Sequence, residues 1–154
     1  MINPHDSIRF TNVISKKFRF HYHEMNTVMN DFFRDVAKFG VTMKGPFFYS
    51  INNVPMDEMV NAELFMPIRE DTAPAKENFE FHSYFSIEDM ASICLHKEFE
   101  KNTQVAYHML LTYIEESNLR QATPIFHVVS GDENFRYMFI KIGYAPKVSE
   151  KITN

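Results

Sequence analysis

From Ile8 to about Lys17 apolar and polar residues alternate, with Ile8, Phe10 and Ile14 on one parity and Arg9, Thr11 and Val13 on the other. A two-residue period predicts a half-buried strand. Between about Tyr22 and Phe39 the period lengthens: Met25, Val28, Met29, Phe32, Phe33, Val36 and Phe39 follow three-and-four spacing. That spacing predicts an amphipathic helix, and Gly40 is placed to end it. Two strands follow, near Pro46–Ile51 and Met59–Ile68, separated by the breakers Asn52, Asn53 and Pro55.

The charged stretch REDTAPAKENFEF, Arg69 to Phe81, reads as an exposed connector. The pattern then restarts with a strand at Ser86–His96 and a helix at Glu98–Asn118 carrying Phe99, Val105, Ala106, Met109, Leu110, Tyr113 and Ile114. Strands at Pro124–Val129 and Phe135–Ile142 follow, joined by a turn at Ser130-Gly131-Asp132. The order strand, helix, strand, strand thus occurs twice, which predicts an α+β domain of duplicated β-α-β-β units. Two helices would lie on one face of an antiparallel sheet, with a groove between the halves. The chain, residues 1–154, is read as one domain: repeat 1 at about 6–68, a connector at about 69–82 and repeat 2 at about 83–146. A shift of 78 superposes Pro46-Phe47-Phe48 on Pro124-Ile125-Phe126, and a shift of 74 superposes Glu63-Leu64-Phe65 on Tyr137-Met138-Phe139.

Strand parity assigns faces. Val60, Ala62, Leu64, Met66 and Ile68 form an apolar set that should pack beneath a helix, as should Met138, Ile140 and Ile142. The opposite face carries Asn61, Glu63, Phe65 and Pro67 in one repeat and Tyr137, Phe139 and Lys141 in the other. With helices on one side only, that second face is expected to be open to solvent, a partner or a ligand. Glu63 among Phe65, Tyr137 and Phe139 has the character of a small-molecule site, an aromatic floor with one orienting charge suited to a flat or cationic organic ligand. Two other readings stay open: Glu63 is solvated or paired with Lys141, or the aromatic patch covers a homodimer or other protein interface.

Composition narrows the function classes. The chain is 45% hydrophobic and 15% aromatic, which fits a folded domain rather than a disordered one. Its net charge of −4, without a basic cluster, gives no source for direct nucleic-acid binding. Cys94 is a lone thiol and reads as a small strand residue. The N-terminus MINPHDSIRF lacks the basic and apolar regions of a signal peptide, and no apolar run reaches membrane-helix length, so a cytoplasmic protein with no membrane partner is expected. His21 and His23 form a His-x-His pair beside Glu24, but further ligands are not evident, and His82, His96, His108 and His127 lack ligand spacing. No metal set, cofactor motif, Ser-His-Asp order or phosphate-binding loop is read.

The segment ICLHKEFEKNTQVAYHMLLTYIEESNLRQATPIFHVV and the strand ELFMPI resemble the GyrI-like family, also known as the effector-binding domain of AraC-type and MerR-type regulators. The resemblance spans nearly the whole chain. It implies a groove between repeats that binds small organic molecules, with Glu63 as the ligand's acidic partner. The chain departs from the family by placing Tyr137 where an acid is frequent. Some relatives of the fold are hydrolases with a groove glutamate and tyrosine, a role that would fall to Glu63 and Tyr137. The expected function is a stand-alone domain that senses or sequesters an aromatic or cationic ligand through Glu63, Phe65, Tyr137, Phe139 and Asn61, as monomer or homodimer, with no assigned catalytic residue. The alternative is a protein-interaction module using the same groove or sheet face. No helix-turn-helix is seen in the chain, so a transcriptional role would need a partner.

Overall fold

The computed structural model describes residues 1–53, 57–74, 76, 78–132 and 134–148; Pro55, and Ala75 and Glu77 of the expected connector, lie outside them. The elements are β1 (Asn3–His21), a single 3-10 turn (Tyr22–Glu24), α1 (Met25–Lys38), β2 (Phe48–Ile51), β3 (Met59–Pro67), β4 (Phe79–Leu95), α2 (Phe99–Glu116), β5 (Leu119–Gly131) and β6 (Arg136–Pro146). All strand pairs are antiparallel, and they close into a barrel in the order β1-β3-β2-β5-β6-β4.

Each helix covers its own repeat. Val28, Phe32 and Val36 recur every four residues along α1 and are buried against Ile14, Phe20, Ala62 and Leu64. Gly40, at φ 73, lets the chain leave the helix. On α2, Ala106, Leu110 and Ile114 pack on Ala91, Ile93, Ile140 and Ile142. The parity assigned to β3 and β6 on the helix side therefore matches the structure.

The face opposite the helices is not open. β1 and β4 are longer than their alternation suggested, and they pair with each other from Asn3↔Ser92 to Lys16↔Phe79. This ladder joins the two halves and removes the free edges. A six-stranded barrel has a narrow interior that side chains must fill. Here Ile8, Val13, Phe48, Phe65, Met90, Phe126 and Val128 fill it. Phe48 stacks on Phe65 with centroids 4.5 Å apart and planes at 3°.

One residue corrects the parity of β1. Asn12 takes a left-handed conformation, φ 58, which turns the strand over. Ile8 and Val13 consequently share the barrel interior, while Ile14 faces α1. Asp89 has the same conformation, φ 55, at the matching place in β4.

Strand register also refines the internal repeat. Phe65 pairs with Phe48 and Ser15, and Lys141 pairs with Phe126 and Ser92. Since Phe48 and Phe126 are repeat mates, Phe65 corresponds to Lys141, and Glu63 corresponds to Phe139 rather than to Tyr137. The difference arises in the two hairpins, whose lengths do not differ as the shift of 74 required.

Because Phe65 is only 2% exposed within this aromatic interior, Phe65→Ala should destabilise the fold by about 3–5 kcal/mol in urea denaturation. Tyr84 is 62% exposed, and Tyr84→Ala should stay within about 0.5 kcal/mol of the parent.

Candidate ligand groove between the repeats

β2 and β5 pair across the junction of the two repeats, and neither helix covers their outer face fully. A groove of about 850 Å³ remains there, floored by Tyr49, Ile51, Ile125 and His127, with Tyr22 and Met25 on one side and Thr103 and Tyr107 of α2 on the other. Pro124 helps to shape the floor. It has no N–H for the ladder, and the β5–β6 register shifts between Gln121 and Ile125. The Gly143 N–H donates instead to Thr123 Oγ1 at 2.8 Å. A Cβ at Gly143 would sit 2.4 Å from Thr123 Cγ2, so a side chain there would have to displace Thr123.

The centre of the floor is a buried polar stack. Tyr49 lies on His127 with centroids 4.5 Å apart and planes at 7°. The Tyr107 hydroxyl makes a short hydrogen bond to His127 Nε2. Burial pushes the His127 imidazole down to about 3, so the ring is neutral at physiological pH. The same burial pushes Tyr49 up to about 12 and raises Tyr107 as well, so both phenols stay protonated. His127 Nδ1 is buried without a hydrogen-bond partner among the described residues. No described residue lining the groove carries a formal charge at neutral pH. Such a surface offers π faces and neutral dipoles, which suit a flat aromatic guest.

The residues anticipated from parity lie elsewhere. Glu63 is half-buried and accepts a hydrogen bond from Ser15 Oγ at 2.8 Å. Lys141, its suggested partner, pairs instead with Asp6 at 3.2 Å. Asn61 accepts from Arg19 at 2.9 Å on the exposed side. Phe65 belongs to the barrel interior, and Phe139 packs beside it. Tyr137 contacts the rings of His96, Phe135 and Phe139. Two strands separate β3 from β6 in either direction around the barrel, so Glu63 and Tyr137 are not brought together as a pair, and none of the five lines the groove. His21 of the His-x-His pair bonds Glu58 at 3.0 Å.

A family model described as Domain of unknown function (DUF5085) matches residues 9–145. The chain belongs to the DUF5085 family. No curated protein matches this DUF5085 chain. Among solved structures, it is similar at 12% identity to EcmrR in an EcmrR-DNA complex, with a TM-score of 0.69 over 94% of this chain. It spans 59% of that EcmrR chain. The isolated EcmrR C-terminal domain aligns at 12% identity and TM-score 0.67, covering 93% of this chain and 99% of that one. A hydrolase from Listeria innocua aligns at 9% identity and TM-score 0.52, covering 92% and 91%. SAV2435 bound to tetraphenylphosphonium aligns at 7% identity and TM-score 0.51, covering 90% and 93%. At these identities the likeness establishes the fold alone. Among the described residues no helix is long and apolar enough to cross a membrane.

Sequence reading missed Tyr49, Tyr107 and His127. A signal existed in the strand pair FFYSI and IFHVV, where one aromatic and one imidazole share the parity of Ile51 and Ile125. Their buried neutrality has a measurable consequence. His127 is depressed from 6.5 to about 3 in the folded chain, so its contribution to stability is present above pH 6.5 and is lost as pH falls towards 3. Between pH 6.5 and about 5, thermal denaturation should show stability falling by up to about 1.4 kcal/mol per pH unit. In His127→Gln that slope should flatten.

Proposed function

We propose that this domain binds a small aromatic organic molecule in the groove between its repeats, for sensing or sequestration. The carrying observation is the uncharged groove itself, with Tyr49 stacked on neutral His127 at its floor. Recognition by π faces favours a planar neutral molecule, or a cation whose charge is spread over aromatic rings. Tetraphenylphosphonium, the molecule bound to SAV2435, is of the second kind. No carboxylate lines the groove among the described residues, so charge pairing is not what anchors the guest here. Loss of apolar surface to water, together with stacking on Tyr49, supplies the affinity.

A second reading, a polypeptide partner, is favoured by one observation. Leu111 of α2 lines the groove and is 42% exposed, which adds apolar surface that a polypeptide could cover. The similarity to a hydrolase concerns the fold and assigns no reaction.

Thermal-shift screening with matched neutral and cationic planar aromatics tests the small-molecule reading. A ligand at about 100 times its Kd should stabilise the fold by about 2.7 kcal/mol. Ala122→Trp, which fills the groove from its rim, should weaken the best compound at least tenfold while leaving the unfolding midpoint in urea unchanged. Glu63→Gln should leave affinity unchanged. If no aromatic compound raises Tm while a polypeptide co-purifies and Ala122→Trp releases it, the second reading stands instead.

A further inference from the structure

β1 lies between β3 and β4, and its register sets three donor side chains around Ser15. Lys17 pairs with Glu63, Ser15 with Glu80, and Val13 with His82. One donor atom from each of Glu63, Glu80 and His82 lies within 4.8 Å of the other two. Ser15, fully buried, donates its proton to Glu63 Oε2 at 2.8 Å, which leaves its lone pair to His82 Nε2 at 2.9 Å. His82 Nε2 lies 3.8 Å from Glu80 Oε2. Neither carboxylate forms an ion pair with a lysine or arginine among the described residues. A cavity of about 380 Å³ adjoins the cluster, and its lining includes Ser15, Glu63, Glu80, Phe79 and the two lysines Lys16 and Lys17.

The other repeat offers an internal comparison. Ser92 is the mate of Ser15, and it too donates to a carboxylate, Asp6, at 2.6 Å. There the cluster is completed by the chain's own cation: Lys141, standing where the first repeat has Phe65, reaches Asp6 at 3.2 Å. The first repeat has more acid and an imidazole, and although Lys16 and Lys17 line the adjoining cavity, neither pairs with Glu63 or Glu80 as Lys141 pairs with Asp6. Two carboxylates that converge without a directly paired cation repel each other, and a bound cation relieves that repulsion.

We propose that Glu63, Glu80 and His82 bind a divalent transition-metal cation. Two oxygens and one imidazole nitrogen, without thiolate, suit Zn²⁺, Co²⁺ or Mn²⁺ in a site left open to water on the cavity side. The cation takes the Nε2 lone pair of His82, with the ring proton on Nδ1. Ser15 stays on Glu63 and fixes its rotamer, as a supporting residue does in metal sites. The site lies apart from the groove between the repeats and does not depend on what that groove binds.

Chelator-stripped protein titrated with Zn²⁺ by calorimetry, and with Co²⁺ by visible absorption, tests the proposal. One equivalent should bind, Tm should rise, and affinity should fall in acid, because metal binding requires deprotonated ligands. Glu63→Gln and His82→Gln should each weaken Zn²⁺ at least about tenfold. Glu80, with its side chain 61% exposed, gives a third variant, Glu80→Gln, that carries little folding risk and should weaken binding likewise. The double change His21→Gln with His23→Gln should leave affinity intact. Absence of binding to the parent chain, or binding unaffected at Glu63, Glu80 and His82, overturns the proposal, as does loss confined to the His21 and His23 variant.

Discussion

The long antiparallel ladder between β1 and β4 is the interaction on which the molecule depends. Each repeat alone would be a three-stranded sheet with a helix on one face and a bare apolar face on the other, including Phe48 and Phe65 in one case and Phe126 in the other. Pairing β1 with β4 and β2 with β5 seals these faces against each other. The gain is twofold: apolar surface leaves water, and exposed strand edges disappear. Asn12 and Asp89, both left-handed, let each long strand serve a helix at one end and the closed interior at the other.

Closure decides where a guest can be held. Aromatic residues that looked like the floor of an open site are the chain's own core, and the available concavity moves to the outer side of β2 and β5. There the two helices stand apart and leave Tyr49, Tyr107 and His127 beneath an open groove. The imidazole is neutral because it is buried, and its neutrality keeps the groove free of charge. Geometry and electrostatics thus agree on a groove that presents π faces and neutral dipoles.

The two repeats treat the charge set around their matching serines differently. Around Ser92 an aspartate is matched by a lysine, which satisfies both groups within the chain. Around Ser15 two glutamates and a histidine gather with only one hydroxyl between them. The same serine stands in both halves, and a lysine contacts the acid beside it in only one.

The sequence by itself determined the elements, their order and the helix-facing residues of β3 and β6, because periods of two and of three to four are local properties of side-chain direction. It also carried the repeat of strand, helix, strand, strand. Tertiary structure decided the rest. Whether the face bearing Glu63, Phe65, Tyr137 and Phe139 meets water or closes on itself depends on β1 pairing with β4, residues far apart in the chain. The same pairing brought His82 and Glu80 to Glu63, although no spacing in the sequence connects them. His127 became a groove residue only when β5 was laid beside β2 and Tyr49. Alternation identifies the face a residue is on, but only long-range pairing decides what that face encloses.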